Sequence, residues 1–219
     1  MSKTILLLGA TGLVGSHCLR LLASDPAFGR VVVLTRRPLP RELVRERVEA
    51  HAVDFDNLAA HSALFGVDQV MCALGTTIRK VGGDKEAFRR VDYDYPSAAA
   101  RLGRERGAEH FLLVSSIGAD ARSPIFYSRV KGELEAAVLA LSYRSVTIVR
   151  PSLLLGPRAE FRFGEQIAKR FAFLTPARYK PVAAHAVAAV LVRAAKDDAP
   201  GRRIVESSEI RALTTANVG

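Results

Sequence analysis

Gly9-Ala10-Thr11-Gly12-Leu13-Val14-Gly15, directly after the apolar run Thr4-Ile5-Leu6-Leu7-Leu8, decides how this chain folds. A strand ending at Gly9 and a helix opening near Gly12 leave unpaired helix N-terminal amides, and the positive end of the helix dipole, at one point. Such a point is built to hold a pyrophosphate. The three glycines act differently. Gly9 permits the tight turn, Gly12 lets the backbone approach phosphates with no Cβ between, and Gly15 lets the helix pack closely on the strand. Thr11, Leu13 and Val14 belong to the same cradle. The spacing is G-x-x-G-x-x-G rather than the commoner G-x-G-x-x-G, so its weight comes from context. An amphipathic helix follows it (Leu13, Val14, Cys18, Leu19, Leu21, Leu22), and then a second strand over 30–35.

Further along, apolar β-branched runs recur at 5–8, 31–34, 51–53, 69–72, 111–114 and 146–149, with helical stretches at 12–24, 85–103, 124–141 and 183–195 and a short one at 57–64. A late strand at 203–206 can join the sheet edge. This alternation predicts an α/β fold, a doubly wound and mostly parallel sheet covered on both faces, with ligand at the carboxyl ends of its strands. With 219 residues, 49% hydrophobic and 25% charged, the chain suits one domain over 1–219, in which 151–219 adds a small cap.

The residues just after each strand are therefore the candidates for contact. Thr35-Arg36-Arg37 follows the second strand, where an NAD-specific protein usually places an acidic residue on the ribose hydroxyls. Two guanidiniums there suit a 2′-phosphate, which favours NADP(H) over NAD(H). Asp54 can accept from the adenine amino group and Phe55 can pack near the ring. Ala73-Leu74-Gly75-Thr76-Thr77 brings small residues and hydroxyls beside the cofactor.

Ser115 and Ser116 end the fifth strand, and Tyr127-Ser128-Arg129-Val130-Lys131 opens the next helix. A tyrosine and a lysine four residues apart share one helix face. A phenol of pKa ~10 exchanges protons poorly at neutral pH, and lowering it by about three units takes roughly 4 kcal/mol, which a nearby ammonium helps to supply. In this reading Ser115 or Ser116 holds the substrate oxygen, Tyr127 donates the proton and Lys131 lowers the phenol's pKa and grips the cofactor ribose. The order of the features strengthens each of them, and Arg150-Pro151-Ser152 follows the sixth strand.

Gly9 to Gly15, Ser115-Ser116, Tyr127 to Lys131 and Arg150-Pro151 resemble the short-chain dehydrogenase/reductase superfamily. Cys72-Ala73-Leu74-Gly75-Thr76-Thr77, Phe88-Arg89-Arg90-Val91-Asp92-Tyr93-Asp94-Tyr95 and Lys131-Gly132-Glu133-Leu134-Glu135 are similar to its atypical branch, which includes the Tat-interacting-protein-like oxidoreductases. The resemblance covers nearly the whole chain. It implies a Rossmann-type NADP-binding fold with Ser115 or Ser116, Tyr127 and Lys131 in the active site and Pro151 near the cofactor, and it implies no particular substrate. Two departures stand out. Asp92 occupies the place where many superfamily enzymes carry an asparagine that organises a relay water, and an ionised aspartate cannot donate a hydrogen bond. The stretch after Pro151 is also shorter than the substrate domain of sugar-nucleotide epimerases. A small cap is expected, with Leu153 to Gly156 and a segment carrying Arg158, Phe161, Arg162, Phe163 and Phe171 lining the substrate side or packing as an amphipathic helix.

The expected activity is NADPH-dependent reduction of a small carbonyl compound. An NADP(H)-sensing interaction protein with little turnover stays open as an alternative, as does a sugar-nucleotide epimerase or dehydratase variant. A net charge of +10 invites a nucleic-acid partner, but the arginines are spread along the chain and alternate with glutamates, as in Arg104-Glu105-Arg106, which disfavours a dedicated role of that kind. Metal binding is not expected, because the five histidines form no ligand motif with Cys, Asp or Glu. No run approaches the ~18 apolar residues of a membrane helix. Two cysteines without motif spacing, Cys18 and Cys72, read as buried thiols of a reducing compartment, taken as the cytoplasm. A homodimer through the helices at 85–103 and 124–141 stays open.

Overall fold

Alternation along the first strand sets the architecture. In the computed structural model, which describes residues 2–155 and 179–215, β1 (Lys3–Leu8) sends Ile5 and Leu7 to one face of a sheet and Leu6 and Leu8 to the other, all fully buried. Six further strands share that sheet: β2 (Phe28–Thr35), β3 (Val48–Ala52), β4 (Gln69–Cys72), β5 (His110–Val114), β6 (Ser145–Arg150) and β9 (Gly201–Glu206), in the order β3-β2-β1-β4-β5-β6-β9. Every pairing within it is parallel. A separate two-stranded ladder joins β7 (Leu154–Leu155) to β8 (Val182–Ala183). Strand order reverses between β1 and β4, so the crevice at their carboxyl ends is the expected ligand site.

Both faces are covered. The Ile5 face packs under α1 (Leu13–Ser24) and α5 (Ala184–Asp197), where Cys18, Leu19 and Leu22 meet an alanine-rich helix that admits close approach. The Leu6 face packs under α3 (Tyr95–Glu105) and α4 (Phe126–Leu139), which bring Ala99, Ala100, Leu134 and Val138. Burying one such leucine or valine stabilises the fold by about 1.5–3 kcal/mol, against ~0–1 kcal/mol for an exposed ion pair such as Arg30–Glu49. The two apolar layers therefore hold the sheet. Residues 184–206 complete this core, as α5 and the edge strand β9, and α6 (Ser207–Thr215) follows them.

The helix expected over 85–103 is present and runs without interruption over 85–105, with a widened turn inside it. A short α2 (Lys85–Arg89) runs through a π-turn at Arg90–Asp94 into α3. Pro96 is the cause: it has no N–H for the carbonyl of Asp92, and its ring needs the room that a widened turn provides. The expected helix at 57–64 is a kinked 3₁₀ segment, Phe55–Phe65, entered through Asp54, whose carboxylate accepts from the Asp56 amide at 2.9 Å.

One buried histidine ties stability to pH. His110 on β5 is 1% exposed, its Nδ1 2.9 Å from Asp198 Oδ1 and its Nε2 3.0 Å from Thr147 Oγ1. Burial lowers its pKa from 6.5 to about 4, despite the opposing pull of Asp198. The fold thus holds the ring neutral, while the unfolded chain takes up a proton near pH 6.5. The contribution is complete above pH 6.5 and is lost as pH falls through the folded value, roughly 3 kcal/mol in all. Urea unfolding at pH 7 and pH 4.5 should show this loss in the wild type and a clearly smaller one in His110→Gln. Equal losses in both proteins would remove His110 from the explanation.

Candidate active site

The glycine loop adopts the conformation its sequence demands. Gly9 has φ +85°, and a Cβ there would come within 2.5 Å of the Ala73 carbonyl oxygen on the neighbouring strand end. A Cβ on Gly15 would overlap the Gly9 carbonyl, so α1 can sit this close to β1 only with glycine at that position. Gly12 is the N-cap of α1 and has no side chain to satisfy the first-turn amides, which leaves them for an anion.

A groove opens along this loop. Gly9, Thr11 and Gly12 form one wall, and Ala73, Leu74 and Gly75 the other. Its far end is closed by Arg36, Phe55 and Tyr95, and it continues past Asp54 and Asp56. Tyr95 donates to Asp56 Oδ1 at 2.9 Å and packs against Phe55, the ring centroids 5.5 Å apart and the planes tilted by 52°, which gives an aromatic seat beside carboxylates. Thr35 is buried, and its hydroxyl donates to the Arg37 carbonyl at 2.6 Å, fixing the turn that carries Arg36. Groove, glycine cradle and uncapped helix N-terminus have the character of a site for a phosphate-bearing ligand such as a dinucleotide.

Several sequence candidates take other places. Leu13 and Val14 turn their side chains into the core and offer only backbone. Arg37 is exposed and Pro151 is buried, and neither lines the groove. Tyr95 and Val91 do line it, although the sequence marks neither as a site residue, since the π-turn and Pro96 are what bring that segment to the nucleotide.

Tyr127 and Lys131, both on α4, do not line the groove; Lys131 Nζ lies behind its Gly75 wall. Tyr127 is half-buried in the first turn of α4, its ring 5.5 Å from that of Phe88. Helix α4 reaches this place because Gly132 lets it press on the backbone of Asp120 and Ala121, where a Cβ would overlap. Lys131 is 4% exposed, with Nζ 2.7 Å from Asp92 Oδ1. Burial works against its charge, but the Asp92 carboxylate and then the Tyr127 phenol outweigh that effect, and Lys131 is held above the ordinary lysine range. The other Asp92 oxygen accepts from the Thr76 amide at 2.8 Å. A Cβ on Gly75 would lie 3.5 Å from Asp92 Oδ1 and 3.8 Å from Lys131 Nζ, so the ion pair sits directly beneath the groove wall.

The two serines part company. Ser115 Oγ donates to Glu135 Oε1 at 2.5 Å, and Glu135 is also gripped by Arg150, through Nε at 3.0 Å and Nη2 at 2.5 Å. Its hydroxyl is committed to the protein interior. Ser116 Oγ is buried with no hydrogen-bond partner among the described residues, and an orphaned buried hydroxyl at a strand end invites a ligand. Sequence reasoning misses Glu135 as a structural anchor, although it belongs to the Lys131-Gly132-Glu133-Leu134-Glu135 stretch. Among the substrate-side candidates, Leu153 is exposed and Leu154 and Leu155 form β7, whereas Gly156, Arg158, Phe161, Arg162, Phe163 and Phe171 lie outside the described residues.

Comparison with known proteins shows the family and the fold. Residues 9–198 match a family described as NAD(P)H-binding. Protein HTATIP2 of Rattus norvegicus is 40% identical over 172 residues, 78% of this chain and 70% of that protein. Protein FMP52, mitochondrial, of Eremothecium gossypii is 35% identical over 220 aligned positions, covering 95% of this chain and 96% of its own length. Among solved structures, MoeE5 in complex with UDP-glucose and NAD superposes with a TM-score of 0.72 at 18% identity, covering 99% of this chain and 82% of that one. Bordetella bronchiseptica WbmH in complex with NAD+ gives 0.71 at 18%, covering 100% and 81%.

The expectation of a cytoplasmic protein does not stand, because several FMP52 relatives are named mitochondrial. Unpaired buried cysteines separate reducing from oxidising compartments and do not distinguish one reducing compartment from another. Among the described residues, no helix is long and apolar enough to cross a membrane.

Proposed function

Because this chain belongs to the NAD(P)H-binding family of atypical short-chain dehydrogenases/reductases, we propose that it is an NADPH-dependent oxidoreductase that reduces a small carbonyl compound. The observation that carries this reading is the buried, charged Lys131 one helical turn from Tyr127 and beneath Gly75 at the groove wall.

When bound, the dinucleotide supplies the hydride. The chain's own residues do the rest. Ser116 offers its free hydroxyl to the carbonyl oxygen and so orients it. Tyr127 donates its proton to that oxygen as negative charge develops, and the resulting phenolate is stabilised by Lys131 until solvent returns a proton. Leu74 adds apolar surface to the groove wall and the buried Phe88 backs the Tyr127 ring, which strengthens these interactions.

NADPH preference rests on Arg36, which lines the groove and makes no ion pair among the described residues, with Arg37 as a second cation beside it. Arg36→Ser should weaken NADPH binding by ~10–100-fold and leave NADH binding within about twofold, the worth of a charge-assisted contact to phosphate. Calorimetric titration with both nucleotides reads this directly, and equal losses for the two would reject the 2′-phosphate role.

The activity itself is tested by following nicotinamide absorbance with NADPH across a panel of aldehydes and ketones. The reading expects oxidation by at least one member. The Asp92–Lys131 pair favours a second reading, since a lysine already met by a carboxylate has less charge to lend the phenol. In that reading the protein is an NADP(H)-responsive interaction protein with little turnover, and it predicts tight NADPH binding with no oxidation by any panel member. The nucleotide sugar in the MoeE5 structure makes UDP-sugars worth adding to the panel as an epimerase variant.

A further inference from the structure

Asp92 is the one carboxylate that touches the inner end of the site among the described residues, and it arrives there by an unusual route. It lies in the π-turn Arg90–Asp94 ahead of Pro96, is 0% exposed, and divides its oxygens between Lys131 Nζ at 2.7 Å and the Thr76 amide at 2.8 Å. Among the described residues, Oδ1 faces no other partner than the Lys131 ammonium, so the two buried charges depend on each other. An ammonium buried as deeply as Lys131 releases its proton readily unless a counter-charge is present.

The geometry points to Asp92 as a positioning residue that acts through Lys131: it keeps the buried ammonium charged and anchored under Gly75, and by holding Thr76 it ties that charge to the wall of the nucleotide groove. This inference rests on the reductase reading for its catalytic consequence, and on the ion pair itself for its electrostatic one. The groups facing Lys131 bear it out. Its own helix brings Tyr127, the π-turn brings Asp92, and β4 brings Cys72, whose thiol burial pushes up to about 11 and so leaves uncharged. Neighbouring charges are engaged elsewhere: Arg89 pairs with Glu133, Arg150 pairs with Glu135 and Glu206, and Lys85 and Arg129 lie over the Phe126 ring. Asp92 is therefore the only counter-charge that Lys131 has among the described residues. An asparagine in its place would keep the contact with Thr76 and lose the charge.

The test is Asp92→Asn, read in two ways. In nucleotide-free protein carrying ¹³Cε-labelled lysine, the Lys131 resonance, identified by its loss in Lys131→Met, should titrate above the ordinary lysine value of 10.5 in the wild type and clearly below that value in Asp92→Asn. In turnover with NADPH, the ratio of Asp92→Asn to wild-type kcat should fall about twofold or more between pH 6 and pH 9, as the variant sheds the Lys131 proton. A Lys131 titration unmoved by the substitution overturns the inference, and so does a kcat ratio that is constant with pH, the mark of a purely structural defect. Should the variant not fold, the wild-type titration decides: a Lys131 that titrates below the ordinary lysine value refutes the counter-ion role. The resonance arm needs no substrate, so failure of the reductase reading leaves it intact.

Discussion

Tyr127→Phe is expected to cut turnover by about 10²–10⁴-fold while NADPH affinity stays within about threefold of wild type. The asymmetry follows from what the substitution removes. The Tyr127 ring is half-buried and packed on Phe88, so phenylalanine refills the same space and only the hydroxyl is lost. In the proposed reading, nucleotide affinity is carried elsewhere, by the groove-lining glycine loop, Arg36, Phe55 and Tyr95. Single-turnover measurements with the best carbonyl from the panel, alongside calorimetry with NADPH, separate the two effects. Turnover unchanged in Tyr127→Phe would sink the general-acid assignment. A parallel loss of affinity would place Tyr127 among the binding residues instead.

Gly15→Ala is expected to abolish measurable nucleotide binding and to destabilise the fold by about 3 kcal/mol or more. The new Cβ would overlap the carbonyl oxygen of Gly9, which is backbone and cannot swing aside like a flexible side chain. Helix α1 must lift from β1, and its first-turn amides then leave the position where they face the pyrophosphate. The same shift disturbs Val14, Cys18 and Leu22, which join the largest apolar layer. Gly66→Ala is the control, because a Cβ there meets only the Ala63 carbonyl at an ordinary 3.5 Å, and φ is −72°. Thermal unfolding and NADPH titration of both variants check the prediction. A Gly15→Ala protein as stable as Gly66→Ala would show that the helix can yield without cost.

The parts of the fold that are legible in the sequence share a physical cause. Short continuous apolar runs, rich in β-branched residues and alternating with helical stretches, suit strands buried on both faces, and β1, β2 and β4 stand within two or three residues of where the pattern puts them. The late strand around Ile204, mostly exposed with Val205 as its buried residue, takes the sheet edge beside β6. The helix over 85–103 reads as continuous because its apolar spacing is helical throughout; the effect of Pro96 on the preceding turn is felt in hydrogen bonds, which apolar periodicity does not register. Asp92 is visible in the sequence only as a departure from a motif. That its carboxylate meets Lys131 depends on that turn.

The sequence by itself determined the nucleotide cradle and the layered sheet, because glycine spacing and hydrophobic period are local properties that any compact form of this chain must respect. Tertiary structure alone decided which serine is free, what neutralises Lys131 and where Tyr95 comes to rest. Ser115 and Ser116 are neighbours of the same chemical type, and only the approach of Glu135 and Arg150, from a helix and another strand, commits one and spares the other. Charge pairing between Asp92 and Lys131 spans 39 positions of chain, a proximity that no local pattern encodes and that the packing of α4 against the π-turn enforces.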